Sequence, residues 1–280
     1  MECLEKLDEK AKRTAITDVE RIIAGKPEYV DAYNDWGVAL YSRKRYAEAI
    51  EKYRAAIALK SDYARPYHNL GLALHGQGHY AEAIEQYQKV VDVRPNFVTD
   101  SYSAWGLALA ALKRYEEAIV QYRKSIEAKP DNAGAYTNWG NASYELHNYA
   151  EAAEKYQRAV EIEPGAGEYE HWVQSVDQLD ESKKAAAEIS VERAIERKKS
   201  AVAYLNWGLA LYNRGRYPEA ISKYRKALEY NPNYALAHNN LGVALFAQKD
   251  YSGAVATYRQ ALDADRTFAL AHRNLANTLF

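Results

Sequence analysis

The sequence predicts an all-α chain of stacked helical hairpins, and three observations carry that prediction. The dipeptides Trp36-Gly37, Leu70-Gly71, Trp105-Gly106, Trp139-Gly140, Trp207-Gly208 and Leu241-Gly242 recur with glycine-to-glycine steps of 34, 35, 34, 68 and 34 residues, the 68 being two steps of 34. A fixed period of this size marks a repeat architecture, in which each unit buries its apolar stripe only against its neighbours. Within a unit, apolar residues follow helical spacing twice across a short polar break, as in Tyr33, Trp36, Gly37, Leu40 and then Ala49, Tyr53, Ala56. The third observation is punctuation: Gly78 and Gly215 mark breaks, and Pro95, Pro130, Pro164 and Pro232 stand in register just past the second helix, where proline stops a helix.

The elements follow in order from this period. Residues 1–29 end with Ala15, Val19, Ile22 and Pro27 at second-helix offsets and read as a degenerate N-terminal hairpin. Full units follow at 30–63, 64–97, 99–132 and 133–166, with Val98 as one extra residue. The interval 167–200 keeps the unit length but places Gln174 at the glycine position, Glu170 at the aromatic position and Lys198 at the proline position. Trp172, Val173, Val176 and Leu179, then Ala187, Val191, Ala194 and Ile195, retain helical spacing there. The interval is either a divergent hairpin or a hinge at Gly165 and Gly167 that divides the solenoid into two lobes. Units 201–234 and 235–268 are regular, and 269–280 repeats only a first helix, as a cap or a truncation.

Composition bounds the function. Across 280 residues, 37 Lys and Arg against 38 Asp and Glu leave a net charge of -1, so there is no global electrostatic drive toward nucleic acid or anionic membrane, and neither is expected as a partner. No apolar run reaches membrane-spanning length. The single cysteine, Cys3, excludes an internal disulfide and a cysteine-rich zinc site. A soluble, cytoplasmic chain is expected. The oddity is 25 Tyr against 4 Phe. Most of that tyrosine is structural by position: Tyr46, Tyr80, Tyr115, Tyr149, Tyr217 and Tyr251 open second helices, Tyr53, Tyr87, Tyr122, Tyr156, Tyr224 and Tyr258 sit in their middles, and Tyr33, Tyr67, Tyr102, Tyr136 and Tyr204 pack in first helices.

A 34-residue unit with an aromatic, a Leu or Trp followed by Gly, then Ala, Tyr, Ala and Pro at set offsets resembles the tetratricopeptide repeat. The resemblance implies a right-handed α-solenoid of antiparallel hairpins whose first helices line a concave groove for a peptide or helix of another protein. It assigns to that groove the ninth residues of the hairpins, Val38, Leu72, Leu107, Asn141, Leu209 and Val243, and the twelfth, Tyr41, His75, Tyr144, Tyr212 and Phe246. At the sixth position Asn69, Asn138, Asn206, Asn240 and Asn274 are similar to the asparagine ladder of O-linked N-acetylglucosamine transferase repeats, where carboxamides hold a peptide backbone. Asn34 and His68, at the fifth, complete the expected set. Two plainer roles compete: the amides bond neighbouring hairpins, and the rings cover one another across adjacent repeats. The carboxylate clamp of chaperone-binding repeats is absent, its positions here being Asn34 and Val38, Asn69, then Asp100 and Ala104.

Catalysis has no foothold in the pattern. His68 and His75 lack partners at zinc-ligand spacing, His238 and His272 replace packing tyrosines, and Gly76-Gln77-Gly78 is a hairpin turn with no strand before it. No metal, cofactor or enzyme activity is expected. The expected function is a protein-interaction scaffold or adaptor. Two alternatives are the substrate-recruiting region of a larger enzyme such as a glycosyltransferase, and a self-assembling scaffold in which Leu275, Leu279 and Phe280 at the C-terminal end dock onto another copy.

Overall fold

The computed structural model describes residues 29–94 and 99–279, which form fifteen α-helices and one 3-10 turn, with no strand among them. The hairpin expected over 1–29, apart from Tyr29, lies outside the described residues, as do Pro95, Val98 and Phe280. The chain divides into two compact units, one ending at Pro130 and one beginning at Asp131. No described helix is long and apolar enough to cross a membrane.

The first unit is three helical hairpins: α1 (Val30–Ser42) with α2 (Tyr46–Leu59), α3 (Ala64–Gly76) with α4 (Tyr80–Val93), and α5 (Thr99–Ala111) with α6 (Tyr115–Ala128). Each turn is closed the same way. Lys44, Gly78 and Lys113 take positive φ (59°, 81° and 58°), and the next amide, from Arg45, His79 and Arg114, donates back to Leu40, Leu74 and Leu109 at 2.9–3.0 Å. This is a Schellman closure, which satisfies the carbonyls the helix end leaves open.

The repeating glycine has a local reason. A side-chain carbon on Gly71 would lie 2.5 Å from Cε1 of Tyr87 in the same hairpin, and Gly37 and Gly106 are overlain in the same way by Tyr53 and Tyr122. Only a bare backbone admits the ring. Ala49, Ala83 and Ala118, one turn before each tyrosine, are completely buried, so the two helices close on small residues around one large one. Burial pushes the hydroxyls of Tyr53, Tyr87 and Tyr122 above the ordinary phenol range.

The second unit contains α7 (Ala133–Glu145) with α8 (Tyr149–Ile162), a 3-10 turn at Pro164–Ala166, α9 (Tyr169–Val176), α10 (Glu181–Lys198), α11 (Ala201–Asn213) with α12 (Tyr217–Tyr230), α13 (Ala235–Ala247) with α14 (Tyr251–Ala264), and α15 (Ala269–Leu279). Gly140, Gly208 and Gly242 meet Tyr156, Tyr224 and Tyr258 as in the first unit. Lys155 and Lys223 stand 4.3 and 3.7 Å from the ring centroids of Trp139 and Trp207, covering these packing indoles with a cation.

Residues 167–200 depart from the regular pattern. Tyr169 and Trp172 are spaced like Tyr204 and Trp207, Trp172 meets Trp207 edge-on at 5.2 Å, and Val173 falls where Gly208 stands. That spacing puts the aromatic position at Tyr169 and the glycine position at Val173, one residue earlier than a strict 34-residue step puts them at Glu170 and Gln174. α9 and α10 touch each other little, and α10 leans on α8 instead, with Gln157 Nε2 donating to Ser190 Oγ at 3.0 Å. Ion pairs fasten it on the other side. Asp177 accepts from Lys184 (2.9 Å), Arg214 (2.8 Å) and Arg216 (2.9 Å), Arg216 also reaches Glu188 (3.0 Å), and Lys223 reaches Glu192 (3.0 Å). Gly165 and Gly167 lie inside this unit, and Tyr169 donates to the carbonyl of Pro164 at 3.0 Å beside them.

Candidate functional site

Within each unit the first helices form the inner row. α1 touches α3 and α3 touches α5, and α11, α13 and α15 repeat the arrangement in the second unit, where the second helices α8 and α10 also touch. The faces of these rows are the candidate sites, one in each unit.

In the first unit, Val38 and Leu107 are 44% and 42% exposed and Leu72 is half-buried between them, an apolar row one residue wide. Tyr41 and His75 flank it. Each ring packs on the tyrosine opening the second helix of its own hairpin, Tyr46 at 5.4 Å and Tyr80 at 5.0 Å, rather than on a ring of the next repeat. His75 is held below the usual imidazole range by burial; His68 is too, against an opposing pull from Asp100, so both are neutral near pH 7.

The fifth-position residues are corrected by this geometry. Asn34 is 1% exposed, its Oδ1 accepting from Asn69 Nδ2 at 2.8 Å while its Nδ2 donates to Asp35 at 3.2 Å. It joins α1 to α3 and offers nothing to a groove. His68 turns the same way, with Nδ1 2.8 Å from the buried Ser101 hydroxyl on α5.

In the second unit, Leu209 and Phe246 are exposed, Val243 is half-buried, and Tyr212 and Phe246 pack on Tyr217 and Tyr251, both at 5.2 Å. Tyr144 is a strut, not an open rung: its hydroxyl donates to Gln174 at 2.5 Å and its ring packs 4.9 Å from His171, while Asn141 accepts from Tyr156 at 2.7 Å. The asparagine column is half committed. Asn206 Nδ2 donates to the Gly165 carbonyl at 3.4 Å, Asn274 Nδ2 donates to the buried Asn239 at 3.0 Å, and Asn240 Oδ1 accepts from Asn239 at 3.2 Å. Asn138 is half-buried.

Sequence reasoning passed over Val202, Leu236 and Leu270, the second residues of α11, α13 and α15, which are exposed on the same helices. The available signal was local: α11 and α13 contain no Asp, Glu, Lys or Arg. Two open clefts, of about 520 Å³ around His147, Glu151 and Leu179 and about 380 Å³ around Arg54, Tyr67 and Glu85, include none of the expected groove residues. No group of three or more His, Cys, Asp or Glu is placed to hold a metal ion among the described residues.

Family models described as tetratricopeptide repeat match residues 64–97, 133–166 and 205–267, and one described as TPR repeat matches 37–78 and 106–147. No curated protein matches the chain. Among solved structures, Pseudomonas aeruginosa pilF is similar over 90% of this chain and 99% of its own, at 16% identity and a TM-score of 0.53. MamA from Desulfovibrio magneticus RS-1 is similar over 75% and 98%, at 18% identity and a TM-score of 0.51. YrrB, a TPR protein with an unusual peptide-binding site, is similar over 79% and 96%, at 21% identity and a TM-score of 0.41.

Proposed function

The chain is a tetratricopeptide repeat protein, and from that premise we propose that it is a protein-interaction scaffold which holds a peptide segment of a partner against its first-helix faces. One observation carries the reading: the ninth residue of α1, α5 and α11 is an aliphatic side chain left open to solvent, at Val38, Leu107 and Leu209, and the aliphatic ninth residues Leu72 and Val243 are half-buried. An apolar row at a repeated position is surface that association would cover. The action is recognition rather than catalysis, with affinity from the aliphatic row and its flanking rings.

Tyr144 is a poor probe of this reading, because its loss would also break the link to α9. Leu209→Asp and Val38→Asp are better, since both side chains already face water. Peptides selected by display against the full chain are expected to lose at least tenfold in affinity, about 1.4 kcal/mol, to one of the two variants, with unchanged circular dichroism. Selected peptides indifferent to both would overturn the proposal.

A further inference from the structure

We propose that the inner face of α11 and α13, continued by Leu270 of α15, takes an extended, uncharged, aliphatic-rich segment of a partner protein; the inference rests on the peptide-binding reading above and names the chemistry of the peptide. Helices α1, α3, α5 and α7 each carry at least one charge, at Asp31, Arg65, Asp100 and Glu145, but α11 and α13 carry none along 13 residues each. A helix apolar on every side is normally buried on every side. Here one side is open: Val202 is 44% exposed, Leu209 44% and Leu236 37%, and Leu270 continues the row on α15 at 41%. Val202 and Leu209 are two helical turns apart, as are Leu236 and the half-buried Val243, so one aliphatic row crosses three helices and a second crosses α11 and α13, Asn277 standing in its place on α15.

This surface selects by charge. A carboxylate or ammonium pressed onto α11 and α13 would shed water and meet no counter-ion on either helix, a penalty an aliphatic side chain does not incur. Arg273 of α15 is exposed one turn after Leu270, so the uncharged part of this face is that of α11 and α13. Residues 1–28 of the chain itself, rich in charges such as Glu2, Glu5, Lys6 and Asp8, do not match the surface.

The amides between the rows specify backbone conformation. Asn206 and Asn274 each spend one Nδ2 hydrogen and keep Oδ1 and the second N–H, while Asn240 spends one Oδ1 lone pair and keeps both N–H donors. Adjacent helices stand roughly 8–10 Å apart, about three residues of extended chain at ~3.3 Å each. An extended segment offers N–H and C=O groups along that path, whereas a helix has satisfied its own.

The test uses the full chain and four synthetic peptides of about 12 residues, long enough to cross three helices. One alternates Leu or Val with Ser; two replace Ser by Glu or by Lys; the fourth is the neutral peptide with methylated backbone nitrogens. Fluorescence anisotropy should show the neutral peptide binding, the other three at least tenfold weaker, and little change with added salt. Leu236→Asp, an acid in the first turn of α13 where the helix dipole tolerates it, should weaken the neutral peptide tenfold or more, and Val38→Asp less than twofold. Equal or tighter binding of either charged peptide, or indifference to Leu236→Asp, overturns the inference. If display-selected peptides still respond to Leu209→Asp, the scaffold reading survives that failure. A concentration-dependent dimer abolished by Leu236→Asp would assign the face to a second copy and also overturn it.

Discussion

Replacing Gly208 by alanine should destabilise the second unit, although alanine is the better helix former. The added carbon would lie 2.6 Å from Cε1, 2.7 Å from Cδ1 and 3.2 Å from Cζ of Tyr224. Ordinary carbon contacts are roughly 3.5–4.0 Å, so the ring must retreat by about 1 Å. Tyr224 is 1% exposed in the middle of α12 and has nowhere to go unless α12 moves off α11. Overpacking of this kind costs about 1–3 kcal/mol, and the gain in helix propensity returns about 1 kcal/mol. The net loss is about 1 kcal/mol, which at a urea slope of roughly 2 kcal/mol per molar lowers the midpoint by about 0.5 M. Gly165→Ala is the control, because nothing lies within 4 Å of a carbon added there; it should be neutral or slightly stabilising. Tyr224→Leu in the Gly208→Ala background should recover part of the loss relative to the two single changes. A midpoint for Gly208→Ala at or above that of the parent would refute the reasoning and leave propensity as the governing term.

Asp177→Asn should lower stability near pH 7 by roughly 1 kcal/mol, a figure kept small because the carboxylate is partly solvated. Burial raises its pKa, but hydrogen bonds from Lys184 and Arg214 and the charge of Arg216 outweigh this and leave it lowered. A lowered folded-state value means the stabilisation is present above the unfolded carboxylate range near 3.9 and fades as pH falls through the folded value. Urea midpoints taken from pH 7 down to pH 2 should therefore converge between parent and variant at the acid end, and a constant gap would show that the ionised carboxylate is not the cause. Tyr144→Phe should cost about 0.5–1.5 kcal/mol through the lost bond to Gln174 while changing peptide affinity less than twofold; a tenfold loss of affinity without a change in midpoint would restore Tyr144 as a contact residue.

The hairpins were legible because each one encodes its own closure. A glycine and the tyrosine sixteen residues later are one contact written in one unit, as Gly37 and Tyr53 show. Residues 167–200 hid their register because two changes offset each other in length: α9 is only 8 residues, α10 is 18, and the unit still measures one period. Site residues were harder, since exposure depends on the neighbour. Asn34 and Asn69 look alike in sequence, and only the packing of α1 on α3 makes one of them buried. The row at Val202, Leu236 and Leu270 was missed for a different reason: it begins partway along the chain, so a search for columns common to all hairpins passes over it.

The placement of these contacts bears on how such a chain changes over generations. The glycine–tyrosine closure lies wholly inside one repeat, so a copied or deleted repeat takes its closure with it and leaves the others whole. The amide bonds Asn34 to Asn69 and Asn239 to Asn274 instead join one repeat to the next. They act as a rule of adjacency: a hairpin with a buried fifth-position asparagine needs an asparagine at the sixth position of the next, and a neighbour carrying Ala104 there would leave that carboxamide without its mate. Unequal recombination in this gene is therefore free to alter the number of repeats more readily than their order.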